Sequence, residues 1–98
     1  MEVKPIEELR ANGRMTWIED HQAWIAQPDE IVSALAHSGF HEYKREEARS
    51  RRDRQPAGGM WQGINTETGA VASAVWVHRP DAPSPIVYID IDGERLHA

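Results

Sequence analysis

The chain contains no cysteine. That excludes a disulfide framework, a zinc–thiolate centre and a cysteine nucleophile. No apolar run approaches the ~20 residues needed to span a bilayer, and the opening MEVKPIEEL has no apolar stretch of signal-peptide length. The expectation is a cytoplasmic protein without membrane contact. Catalytic motifs are missing too. None of Ser33, Ser38, Ser50, Ser73 and Ser84 is framed by G-x-S-x-G. Gly58-Gly59 and Gly63 do not form a phosphate-cradling loop ahead of a helix. There is no H-E-x-x-H and no twelve-residue calcium loop. No residues form a motif diagnostic of a protein family. These absences lead to the expectation of a non-enzyme that uses no cofactor and no metal.

At 98 residues the chain is read as a single domain, 1–98. Hydrophobic residues make up 40% and there are four tryptophans, enough apolar material for a packed core and too much for disorder throughout. The charge is unevenly placed. Lys44 to Arg54, KREEARSRRDR, holds six basic residues (Lys44, Arg45, Arg49, Arg51, Arg52, Arg54) against three acidic ones (Glu46, Glu47, Asp53), a net of +3. The whole chain is −5, which leaves −8 for everything outside that segment. Such segregation steers a charged partner to one place. A pI near 5.4 argues against a dedicated DNA-binding domain, which usually lies above about 9.

The pattern predicts a short helix over Val3 to Arg10, where Pro5 suits the first turn, Glu7 and Glu8 favour the positive end of the dipole, and Gly13 can close it. A second helix is expected over Thr16 to Ala26. Thr16 and Glu19 have capping-box spacing, and Trp17, Ile18, His21, Trp24 and Ile25 form one stripe. A third starts at Pro28 and stops at Gly39, with Phe40 folding back on its last turn. His41 to Gln55 leaves helix, strand and unstructured chain all open. Pro56 to Gly59 reads as a turn or loop dividing a helical half (about 1–55) from a β half (60–98). Strands are expected at Met60–Asn65, Ala70–His78 and Ile86–Ile91. Asp92-Gly93 is a type I′ hairpin signal that would pair Ile91 with Glu94, Asp90 with Arg95 and Ile89 with Leu96. The fold class that follows is α+β: two or three N-terminal helices packed on a C-terminal antiparallel β-meander of three to four strands.

Three constellations bear on function. Asp90, Asp92 and Glu94 cluster at a strand end, where paired carboxylates can divide acid and base roles. A solvent-facing stripe with Asp90 opposite Arg95 is the simpler explanation. His37 and His41 have the spacing of a shared metal on a helix, but Gly39 interrupts it. The basic segment remains. As a helix it would put Arg45, Arg49 and Arg52 on one face, and arginine is suited to bidentate contact with carboxylate or phosphate. The leading expectation is a small non-enzymatic protein-binding module that engages an acidic surface of a larger protein through residues 44–54. Arg49, Arg51, Arg52 and Arg54 would supply electrostatic complementarity and Trp61 an aromatic anchor. Small accessory inhibitors or adaptors of mobile elements, such as phage anti-defence or immunity proteins, share this size and format. The alternative is a nucleic-acid-binding regulator using the same segment, and a third reading is a small enzyme at Asp90/Asp92. Monomer and homodimer are both compatible with the sequence.

Overall fold

The computed structural model describes residues 3–98. Its elements run α1 (Lys4–Ala11), β1 (Thr16–Ile18), β2 (Ala23–Ile25), α2 (Pro28–His37), β3 (His41–Arg49), β4 (Pro56–Ile64), β5 (Val71–Val77), β6 (Ile86–Ile91) and β7 (Glu94–Arg95). All strands pair antiparallel in one seven-stranded sheet of order β1-β2-β6-β5-β4-β3, with β7 attached to β6. The fold is therefore mostly antiparallel sheet with two short helices. This corrects the expectation of helices packed on a three- to four-stranded meander.

Three local findings account for the correction. The first lies in Thr16 to Ala26, which is a hairpin rather than a helix. Residues seven apart share a helix face, but they can also oppose one another across a hairpin. Trp17 and Trp24 do the latter, as register partners with rings edge-to-face at 5.1 Å. A single 3-10 turn (Glu19–His21) and Gln22 in the left-handed region reverse the chain. Glu19 does not cap a helix. Its carboxylate accepts from the Trp17 indole N–H at 2.7 Å and from the Gln22 amide at 3.1 Å. Those bonds hold its pKa below the usual glutamate value. His21 is exposed rather than at the core boundary.

The second finding is that β3 is a strand, although all nine of its residues are exposed. No periodicity of burial marks such a strand, because nothing on it is buried. The third is that Pro56 to Gly59 belongs to β4 instead of forming a loop. Its glycines serve the core: a Cβ on Gly59 would collide with the Trp76 ring, and one on Gly63 with the Trp61 ring. Bare backbone on this face of β4 gives two indoles room to lie against the sheet.

The remaining elements follow their sequence signals. In α2 the chain stops in a Schellman arrangement: Phe40 N–H donates to Leu35 C=O at 3.2 Å, Gly39 N–H to Ala36 C=O at 3.1 Å, and Gly39 has φ +98°. Asp92 and Gly93 both have positive φ, as a type I′ turn requires. Asp90 faces Arg95, Ile91 faces Glu94, and Leu96 N–H donates to Ile89 C=O at 2.8 Å.

Both helices lie on one face of the sheet, with α2 over β4 and β5 and α1 against α2. Ile6, Ile31, Leu35 and Phe40 meet Trp24, Trp61, Trp76, Val87 and Ile89 in one core. Ala72 and Ala74 line this face of β5, and their small side chains let α2 approach. Val71, Val75 and Val77 point to the opposite, uncovered face and are 37–47% exposed. The helices therefore pack on the alanine side of β5, not on its valines. Among the described residues no polar or charged residue is buried. The sheet edges are β1, only three residues long, the two-residue β7, and β3; β6 has neighbours on both sides. Among the described residues no helix is long and apolar enough to cross a membrane.

Candidate functional site: the arginine tip of the β3–β4 hairpin

Antiparallel pairing of β3 with β4 places residues 50–55 at the end of a long hairpin. The reversal is well hydrogen-bonded. Ser50 N–H donates to Gln55 C=O at 2.9 Å and Arg54 N–H to Ser50 C=O at 3.0 Å. The Ser50 hydroxyl accepts from Arg52 N–H at 3.3 Å, and the Asp53 carboxylate accepts from Gln55 N–H at 3.1 Å. Arg54 takes the left-handed conformation at φ +62°, and its carbonyl accepts from the Arg49 guanidinium at 3.1 Å. Serine and aspartate here do what these residues do in turns, substituting side-chain oxygens for missing backbone partners.

This reversal gathers Arg49, Arg51, Arg52 and Arg54, all exposed. Among the described residues none of the four makes an ion pair. The tip carries four arginines and one aspartate on a chain of net charge −5, so its positive field meets little internal cancellation.

The other sequence-predicted residues fall elsewhere. Arg45 stands opposite Trp61 on the helix-facing side, and its guanidinium lies 3.5 Å from Asp29, 3.7 Å from Glu42 and 3.6 Å from Glu47. It is already engaged, tying the edge strand to the first turn of α2. Lys44 is opposite Gln62 on the uncovered face. A register irregularity between Glu42 and Lys44 leaves Tyr43 without a partner, bulged and 55% exposed. Trp61 is 1% exposed. Its indole N–H donates to the Glu42 carboxylate at 2.6 Å, so it anchors β3 to the core and presents nothing to a partner. The expected anchor role falls away for that reason.

Asp90 is bound by Arg95, Nε donating to Oδ1 at 2.9 Å, and the same guanidinium lies over the Tyr88 ring at 5.2 Å. Asp92 sits in the turn. That arrangement is an ion pair closing a hairpin, with no second carboxylate among the described residues sharing its partner. His37 ends α2, where its Nδ1 is 2.7 Å from Ser33 C=O, and His41 opens β3 after the helix stop. Among the described residues no three potential metal ligands come together.

One further basic residue near the tip lies outside the 44–54 run. Arg79 follows β5, and the ladder continues past the strand end, His78 N–H donating to Ala57 C=O at 3.0 Å. This brings His78, Arg79 and Pro80 beside Ser50, Asp53 and Gln55 around a cleft of about 560 Å³. The only sequence signal was an arginine preceding a proline-rich connection.

No family model, no curated protein and no solved structure matches the chain.

Proposed function

We propose that this chain is a non-enzymatic binding module that docks the arginine tip of its β3–β4 hairpin on an acidic surface of a larger protein. The observation that carries this reading is the set of four exposed arginines, free of ion pairs among the described residues, on a hydrogen-bonded hairpin end. Arginines on a hydrogen-bonded turn lose less backbone conformational entropy on binding than the same residues on a loose loop, and guanidinium groups fit carboxylates bidentately. The rest of the chain carries the opposite sign, which orients an incoming acidic partner toward the tip and away from the body.

The same sign pattern disfavours nucleic acid. A duplex presents a phosphate about every 1.7 Å of its axis, and a body of net negative charge beside a narrow tip repels most of that length. An accessory inhibitor or adaptor acting in the cytoplasm, in the format of phage anti-defence or immunity proteins, is the role we propose. Affinity capture from source lysate, with and without nuclease, tests it, using wild type and a variant with Arg51, Arg52 and Arg54→Glu. We expect a defined protein that survives nuclease and is lost in the variant. Recovery of DNA or RNA that disappears with nuclease would replace this reading with a nucleic-acid-binding one.

A further inference from the structure

The sheet face opposite the helices is apolar at its centre and charged at both margins. Strand register sets cross-strand rows on it. One row reads Lys44, Gln62, Ser73, Asp90 from β3 to β6, and the next reads Glu46, Met60, Val75, Tyr88. In a third, Gly58 stands beside Val77. Val71, Val75 and Val77 are three of the four large hydrophobic residues exposed among the described residues. A shallow groove of about 620 Å³ runs over Gly58, Met60, Val75 and Val77. Contiguous apolar surface of this kind marks an interaction site, which scattered single side chains do not. The two margins carry charge in opposite order. On β3, Lys44 is positive and Glu46 negative. On β6, Asp90 lies in the Lys44 row. Arg95, bonded to Asp90, holds its guanidinium 5.2 Å from the centre of the Tyr88 ring, in the Glu46 row.

We propose that this face packs on the same face of a second copy of the chain, the two related by a two-fold axis that runs parallel to the strands between β4 and β5. Such an axis keeps each row level and reverses its order. Lys44 then meets the partner's Asp90, and Glu46 meets the partner's Tyr88 and the partner's Arg95. Gln62 meets the partner's Ser73, Met60 meets the partner's Val75, and the partner's Val77 fills the space over Gly58. Opposite charges face each other at both margins, and apolar groups face apolar groups between them, as an isologous interface requires. A two-fold axis across the strands lacks this match. It stacks Lys44 or Glu46 on its own copy, or sets Gln62 and Ser73 on Met60 and Val75. Aligned sheets pack about 10 Å apart at an angle of roughly 30°, within reach of the long side chains at the margins. A face four strands wide, roughly 15–20 Å, lies at the small end of specific interfaces, so dilute protein is monomeric and the dimer forms at micromolar concentration and above. Both arginine tips then project from the same end of the dimer. The proposal stands apart from what the tips bind.

The test is sedimentation equilibrium of the full chain from about 5 to about 500 µM in about 0.15 M salt, where repulsion between two chains of charge −5 is largely screened. We expect the mean mass to climb from 11.1 kDa toward twice that value. Val75→Lys, at an exposed site, should leave the circular dichroism spectrum unchanged and abolish the rise. Lys44→Glu combined with Glu46→Lys keeps the net charge and reverses one margin. It should weaken dimerisation about tenfold or more, because like charges then face each other. Adding Asp90→Arg and Arg95→Asp reverses the other margin as well and should restore the dimer. A wild type that stays monomeric at the highest concentration would leave the face to some other partner and overturn the proposal. A dimer that survives Val75→Lys would place the contact elsewhere, such as the β3 edge, with the same consequence. If the chain with one margin reversed dimerised like wild type, or if the folded chain with both reversed failed to recover, the two-fold arrangement would be wrong.

Discussion

Two regions of this sheet are built on opposite principles. In β4, β5 and β6 one face is buried, with α2 over β4 and β5, and side chains such as Trp61, Ala74, Trp76, Val87 and Ile89 form the core. In β3 no residue is buried. Its place is held by the backbone ladder to β4, by the Trp61–Glu42 bond, and by Arg45 reaching Asp29. One sheet thus separates the residues that stabilise it from an exposed edge whose side chains are not needed for the core. The body keeps the apolar material, and the edge hairpin keeps unpaired charge.

Substitutions in the body should cost most. Ile89→Ala, at a fully buried site, should lose about 2–5 kcal/mol in chemical denaturation, whereas Val77→Thr on the uncovered face should change stability by about 0.5 kcal/mol or less. Similar losses at the two positions would mean that the valine face is covered after all. Gly59→Val attacks the seam between the regions, because its side chain would meet the Trp76 ring and crowd the Glu46 carbonyl. Overpacking of this kind costs about 1–3 kcal/mol. Amide hydrogen exchange should also accelerate in 41–49 before it does in β5 and β6.

Arg45→Ala removes three exposed ion-pair contacts at the edge, and we expect about 1 kcal/mol or less, since solvent screens such pairs. The smallest effect is a pH effect at the first turn of α2. Arg14 donates two hydrogen bonds to Glu30 and holds its carboxyl below the usual glutamate value. A carboxylate whose folded pKa is lowered stabilises the fold above the ordinary value of 4.5, and that contribution fades as pH falls through the folded pKa. Glu30→Gln should therefore lower the melting temperature slightly at pH 7 and by progressively less as the pH falls toward 2. A decrement of the same size at both pH values would show that the charged pair is not its source.

The same contrast explains what could be read from the sequence. Strands of the body were legible because burial imposes a period of two on Ala70 to His78 and Ile86 to Ile91, and Asp92-Gly93 announced the closing turn. Helix α2 declared itself at both ends, with Pro28 and Gly39. Burial leaves no period on His41 to Arg49, and the glycines of 56–59 carry a loop signal while serving as a floor for indoles. Trp17 and Trp24 misled for a geometric reason, since a seven-residue spacing satisfies both a helix face and a hairpin pair. At the candidate site the local charge of 49–54 was visible in the chain. The withdrawal of Trp61 and Arg45 from the surface, and the arrival of Arg79 beside Asp53, depend on strand pairing and could not be read from local spacing.

The claim that binding and stability reside in different regions can be measured directly. With the captured partner purified, the Kd of wild type and of the variant carrying Arg51, Arg52 and Arg54→Glu would be determined alongside their melting temperatures. We expect affinity to fall about a hundredfold or more, as charge reversal at a complementary interface implies, with the melting temperature unchanged. Undiminished affinity, or a loss of affinity accompanied by a matching loss of stability, would contradict that separation.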